Sequence, residues 1–171
     1  MRIYKRDLER NMFEIRQATE SDVEDITDLF YETIQNINSK DYLQEEIDDW
    51  SSWRGDFEKW KKGISEQYFI VAILQGKVVG FSSIAKDGYL DFMFTHKDFQ
   101  RQGIAKNMLT ELERKALMQK NDYIYSDVSI TAKDFFLSQG YEIERQQLKK
   151  SKERELINFR MRKRMKNQNF K

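Results

Sequence analysis

Apolar and polar residues alternate over Met12-Phe-Glu-Ile-Arg-Gln-Ala18, the period of a strand with one buried face. Ser21-Asp-Val-Glu24 follows, serine with glutamate three residues on, the form of a capping box that opens a helix. From there Val23, Ile26, Leu29, Phe30, Ile34 and Ile37 fall on one helical face. A second helical stretch, Leu43 to about Lys62, carries Ile47, Trp50, Trp53, Phe57 and Trp60, with Gly55 as its expected break. Two β-rich runs come next, Tyr68–Leu74 and Lys77–Ala85, and Gln75-Gly76 joins them as a hairpin. Lys86-Asp-Gly88 turns the chain into a further strand, Tyr89–Thr95.

Helical spacing returns over Gly103–Gln119, with Ile104, Met108, Leu109, Leu112, Ala116 and Leu117 as the buried stripe. Asp122–Val128 reads as a strand. Thr131–Gln139 reads as a short helix stopped by Gly140, which takes the left-handed conformation of a helix end easily. Two closing strands, Tyr141–Gln147 and Glu155–Arg162, flank the charged turn Lys149–Arg154. The order is β, α, α, then three strands, α, β, α and two strands. It suits an α/β (α+β) domain whose mixed sheet carries helices on both faces.

The 171 residues suffice for one well-buried domain and contain no proline or Gly/Ser-rich linker. We divide them into a polar extension (1–11), one domain (12–163) and a basic tail (164–171). Hydrophobic residues at 39% and charged residues at 35% place the chain among soluble globular proteins rather than disordered ones. No apolar run approaches the ~20 residues of a membrane span, and no apolar segment follows the charged N-terminus as in a secretory signal. Zero cysteines exclude disulfides, thiolate metal sites and a cysteine nucleophile, and the lone His96 speaks against zinc sets and a histidine triad. The expectation is a cytoplasmic protein with no metal and no membrane partner. The net charge of +1 gives no reason to expect nucleic acid. Charge is uneven, however: Asp22–Asp56 is acidic, which suits either a solvated face or attraction of a cationic substrate.

Gln100-Arg-Gln-Gly-Ile-Ala105 carries the candidate chemistry. A small-residue turn at a helix N-terminus leaves backbone N–H groups unpaired, with the helix dipole behind them. Gly103 and Ala105 let a diphosphate come close to the backbone, and Arg101 and Lys106 add positive charge. A phosphate-binding hydrolase would also use such a turn, but Gly-x-x-x-x-Gly-Lys-Ser/Thr is absent.

With its neighbours this segment resembles the GNAT superfamily of N-acyltransferases, whose signature is Arg/Gln-x-x-Gly-x-Gly/Ala after the fourth strand. Gln100, Gly103 and Ala105 match it. Leu90-Asp-Phe-Met-Phe-Thr-His96 lies where that family has its central strand, and Ala132-Lys-Asp-Phe-Phe-Leu-Ser-Gln-Gly-Tyr141 matches its second motif. The likeness runs from about Met12 to Arg162, opening with Ile15-Arg-Gln-Ala-Thr-Glu-Ser-Asp22. Tyr42, Trp50, Ser129-Ile-Thr-Ala132 and Asn158-Phe-Arg-Met161 make it similar to the bacterial YafP-type branch.

The resemblance implies a single-domain GNAT-like fold, with a mixed, mostly antiparallel sheet of six to seven strands. It implies acetyl-CoA as co-substrate and a small-molecule amine or a peptide amino group as acceptor, acylated directly in a ternary complex. A homodimer is left open. Pantetheine would pair with Met93, Phe94 and Thr95. The pyrophosphate would rest on Arg101, Gln102, Gly103, Ile104, Ala105 and Lys106, with Ser129 near the pantetheine and Phe135 and Phe136 near the thioester. Amine acylation needs a base to give a neutral amine. Asp91, which interrupts an apolar strand, is the first candidate and Asp127 the second, each against a purely structural role. Relatives place a tyrosine acid where this chain has Phe136, so either Ser129, Tyr125, Tyr141 or water supplies the proton for the thiolate, or the thiolate leaves without help. Trp50, Trp53 and Trp60 either wall an amine pocket by cation–π contact or pack in the core. A non-catalytic CoA-binding module is the alternative.

Overall fold

Two strands, β2 (Tyr68–Leu74) and β3 (Lys77–Ile84), are apolar at most positions, so both faces of their sheet need cover. The computed structural model, which describes residues 13–166, shows that cover. The expected extension over residues 1–11, Met12 and the last five residues of the tail lie outside the described residues. Phe69, Val71 and Phe81 pack on one side against α1 (Val23–Asn36), α2 (Gln44–Ser51) and α3 (Phe57–Glu66), through Phe30, Ile34, Ile47 and Trp60. On the other side Ile70, Ala72 and Val79 pack against α4 (Ile104–Met118) and α5 (Lys133–Ser138), through Met108, Leu112 and Phe136. A Cβ at Gly80 would stand 2.9 Å from both Ile104 Cγ2 and Met108 Cε, so glycine lets the start of α4 lie directly on β3.

β1 (Glu14–Gln17), β2, β3 and β4 (Leu90–Thr95) form an antiparallel sheet in that order. β5 (Tyr123–Ser129), β7 (Glu155–Arg164) and β6 (Glu142–Lys150) form a second. The expected mixed sheet of seven strands is thus present but split. Its halves meet at one parallel bridge, Tyr89 to Tyr125, reinforced by Ser126 Oγ donating to the Leu90 carbonyl at 2.7 Å. Beyond it β4 and β5 share no ladder, and β4 leaves a backbone edge unpaired.

Gly88 holds this junction. Its φ is +93°, its carbonyl accepts from Tyr125 N–H at 3.2 Å, and a Cβ would stand 2.4 Å from the Tyr123 carbonyl oxygen. Gly88→Ala is expected to lower the unfolding free energy by roughly 1–3 kcal/mol. Urea denaturation reads this directly, and an unshifted midpoint would show that the junction gives way at no cost.

Several boundaries differ from the periodicity. The cap before α1 belongs to Thr19 and Asp22, not Ser21 and Glu24: Asp22 accepts from Thr19 N–H at 2.8 Å while Arg16 pairs with it at 2.8 Å. That guanidinium holds the Asp22 carboxyl below its usual range. The second helical stretch does break at Gly55 as expected: the turn Ser52–Gly55 ends one helix and the Asp56 side chain caps the next. Leu117, expected in the stripe of α4, is 39% exposed. Tyr89 stands before β4, and β6 and β7 run on to Lys150 and Arg164, leaving only residues 151–154 as the turn. Met165, expected in the tail, instead packs on the core and donates its N–H to the Asp122 carbonyl at 2.8 Å.

Candidate active site

The parting of β4 from β5 opens a cleft of about 940 Å3. Every residue expected at the cofactor lines it except Gln102, and both Asp91 and Asp127 do as well.

At the open end, Gly103 (φ +82°) caps α4 in the left-handed region, and Arg101 (φ +59°) shares that conformation. The first in-helix bond is Asn107 N–H to the Gly103 carbonyl, at 3.0 Å. Among the described residues, the N–H groups of Ile104, Ala105 and Lys106 before it meet no protein acceptor. Such a terminus takes an anion well. Gln100, the signature's first residue, lines the cleft with its amide nitrogen turned to the backbone. Its Nε2 donates to the Thr95 carbonyl at 2.7 Å and the His96 carbonyl at 3.2 Å, tying the turn to the end of β4. His96 lies outside the cleft. Its side chain is only 12% exposed rather than open to solvent, and burial, then Lys77, lowers its pKa.

Along the middle, the free edge of Met93, Phe94 and Thr95 faces Ser129, Thr131 and Asn158. Thr95 Oγ1, Thr131 Oγ1 and Asn158 Oδ1 are buried there without a hydrogen-bond partner among the described residues. A buried polar atom left unpaired costs free energy, so these three fit a polar ligand arm. The apolar wall is Phe135 and Phe136. Phe136 is 2% exposed and set edge-on against Tyr141 at 5.1 Å and Phe135 at 5.5 Å. Phe136→Tyr would bury a hydroxyl among these rings, at a cost of roughly 1–3 kcal/mol. Stability should fall by that amount with kcat unchanged. A raised kcat at undiminished stability would refute this packing role.

Of the proton donors expected beside Phe136, only Ser129 lines the cleft. Tyr141 donates to Glu113 at 3.2 Å, and burial, then that carboxylate, raises its pKa far above the ordinary value. Tyr125 is bonded to Asp87, which pushes it up to about 12. Tyr42 does line the cleft. Its hydroxyl is held between the Ile157 carbonyl (2.7 Å) and Ile130 N–H (2.9 Å), and burial pushes it up to about 12.

The two candidate carboxylates are unlike. Asp127, 7% exposed, is saturated: Lys149 Nζ (2.7 Å), Arg160 Nε (2.7 Å), Gln147 Nε2 (2.7 Å) and the Tyr89 hydroxyl (3.2 Å) all reach it. Burial alone would raise its pKa, but Arg160 and Lys149 overcome that and hold it far below the usual carboxylate range. It organises β5, β6 and β7 and makes a poor base. Among the described residues, Asp91 accepts only from Gln67 Nε2, at 2.9 Å on Oδ2, which leaves Oδ1 open.

All three tryptophans border the cleft. Trp60 is otherwise buried in the core, stacked on Phe92 at 4.9 Å. Trp50 and Trp53 wall the cleft, but the ring of Trp53 already carries the chain's own ammoniums, Lys59 at 3.6 Å and Lys152 at 4.7 Å. Lys59 lines the cleft, and no sequence signal marked it. Partial desolvation lowers its pKa more than Asp91 and Asp56 raise it. Residues of the stretch Asp22–Asp56 line the cleft, among them Phe30, Tyr42, Trp50 and Trp53, but none of its carboxylates does. Asp28 pairs with Arg54, and Asp49 accepts the N–H groups of Lys152, Glu153 and Arg154.

Residues 38–165 match the family model of an acetyltransferase (GNAT) domain. The chain is 28% identical over 152 residues to the Escherichia coli K12 protein named "Uncharacterized N-acetyltransferase YafP", covering 89% of this chain and 96% of that one. A GCN5-related N-acetyltransferase from Rhodopseudomonas palustris, also designated aminotransferase, class-II, superposes with a TM-score of 0.86. It is 25% identical, over 88% of this chain and 94% of that one. The PaiA N-acetyltransferase from Thermoplasma acidophilum, solved with coenzyme A, superposes at 0.75 and is 20% identical, over 90% and 99% of the two chains. Among the described residues, no helix is long and apolar enough to cross a membrane.

Proposed function

The chain belongs to the GNAT acetyltransferase family and is an acyl-CoA-dependent acetyltransferase; from the cleft we propose that it transfers acetyl from acetyl-CoA to a primary amine by direct attack in a ternary complex. The observation that carries this reading is one continuous cleft joining a free helix N-terminus to a carboxylate with an open oxygen.

In this reading the N–H groups of Ile104, Ala105 and Lys106, with Arg101 and Lys106 side chains alongside, hold the pyrophosphate. The edge of Met93, Phe94 and Thr95 orients the pantetheine, and Phe135 and Phe136 exclude water beside the acyl group. Acetyl-CoA supplies an acyl group on a leaving thiolate. Asp91 Oδ1 takes the proton that keeps an amine from attacking. Backbone N–H groups on the β4 edge stabilise charge on the acyl oxygen. Ser129 Oγ accepts from Ala132 N–H at 3.1 Å, which leaves its own proton to face the departing sulfur.

Initial rates measured while both substrates are varied test the direct transfer. A ternary complex gives intersecting double-reciprocal lines. Parallel lines, the sign of a covalent acyl-enzyme, would overturn it.

A further inference from the structure

The cleft beside Asp91 and Asp127 is richer in lysines than in carboxylates. Lys59, Lys149 and Lys150 line it, together with Asp91 and Asp127. Lys149 and Arg160 already neutralise Asp127. Asp91 lies near enough to Lys59 to act on its charge, and among the described residues neither Lys59 nor Lys150 has a carboxylate at ion-pair distance. Lys59 is also a positioned cation. Its backbone N–H is bonded to the capping Asp56 carboxylate at 3.2 Å, and its ammonium sits over Trp53. That indole is fixed in turn: Trp53 Nε1 donates to Ser151 Oγ at 3.1 Å, and the Trp53 carbonyl accepts from Trp60 Nε1 at 2.9 Å. A plain alkylammonium or polyamine entering here would bring its charge toward Lys59 and Lys150, which line the same cleft. An acceptor that also carries an anion would complete the balance.

We propose that the acceptor is a small amino acid-like molecule whose carboxylate is bound by Lys59 while its amino group faces Asp91. This rests on the acetyltransferase reading above and narrows its acceptor class. Lys59 sets which amine is chosen, and Asp91 handles the amine's proton.

The test is thiol release from acetyl-CoA with matched sets of acceptors: an α-amino acid, its amide and its decarboxylated amine. Wild type, Lys59→Met and Lys59→Arg are compared, with an acetyl-CoA melting shift in each variant as the check on folding. In the wild type, kcat/KM for the free acid should exceed that for both neutralised forms by about tenfold or more, the scale of a charge-assisted contact. Lys59→Met should bring that ratio near one, and Lys59→Arg should keep most of it. Equal or better turnover of the decarboxylated amines by wild type overturns the acceptor class but leaves acetyl transfer standing. A preference for the acid that survives in Lys59→Met overturns the role of Lys59. Release with none of the sets overturns amine acetylation itself.

Discussion

Asp91→Asn should lower kcat on the order of 10²-fold or more, with acetyl-CoA affinity near wild type. The substitution is nearly isosteric. An asparagine oxygen can keep the Gln67 Nε2 contact that now holds Asp91 at 2.9 Å, so the cleft's shape should persist while the base is lost. The effect should appear in kcat because the missing proton acceptor acts after both substrates are bound. Asp127→Asn makes a useful contrast. It would leave Lys149 and Arg160 without their carboxylate and should act first on stability. Near-normal turnover in Asp91→Asn would take the proton transfer away from this residue.

Gly103→Val should abolish the stabilisation that acetyl-CoA gives the wild type. Ligand at 100 times its Kd raises stability by about 2.7 kcal/mol through mass action, a shift easily read in a melting curve. A Cβ at Gly103 would meet only Asn107 Nδ2, at 3.7 Å, so space is not the obstacle. Conformation is: at φ +82° a β-branched residue is strained, and relaxing it turns the N–H groups of Ile104–Lys106 out of their common direction. The fold should survive, since the buried residues of α4 lie from Ile104 onward. A variant that keeps the full melting shift would show that this helix start does not hold the cofactor.

The elements that could be read along the chain are those with local causes. The double-sided burial follows from the unbroken apolar run of β2 and the mostly apolar β3, and α4 from its stripe of residues three and four apart. The second helical stretch breaks at Gly55, where its glycine indicated, and Asp56 capping Lys59 starts the next helix. The cleft itself depends on contacts distant in sequence. Nothing near Asp127 indicates that Lys149 and Arg160, 22 and 33 residues on, will saturate it and leave Asp91 as the freer carboxylate. Gln100 matched a family signature, yet its side chain proves to brace the end of β4. Lys59 is close to Trp53 in the chain, but that its ammonium covers the ring and faces the cleft depends on the turn between α2 and α3.

The most direct test of acetyl transfer is to incubate the protein with acetyl-CoA and a mixed pool of amines and amino acids, and to quantify free thiol and acetylated amine in the same sample. The account predicts that the two appear one to one, at a rate that collapses in Asp91→Asn. Acetyl-CoA binding, seen as a melting shift, without acetylation of any amine would contradict it.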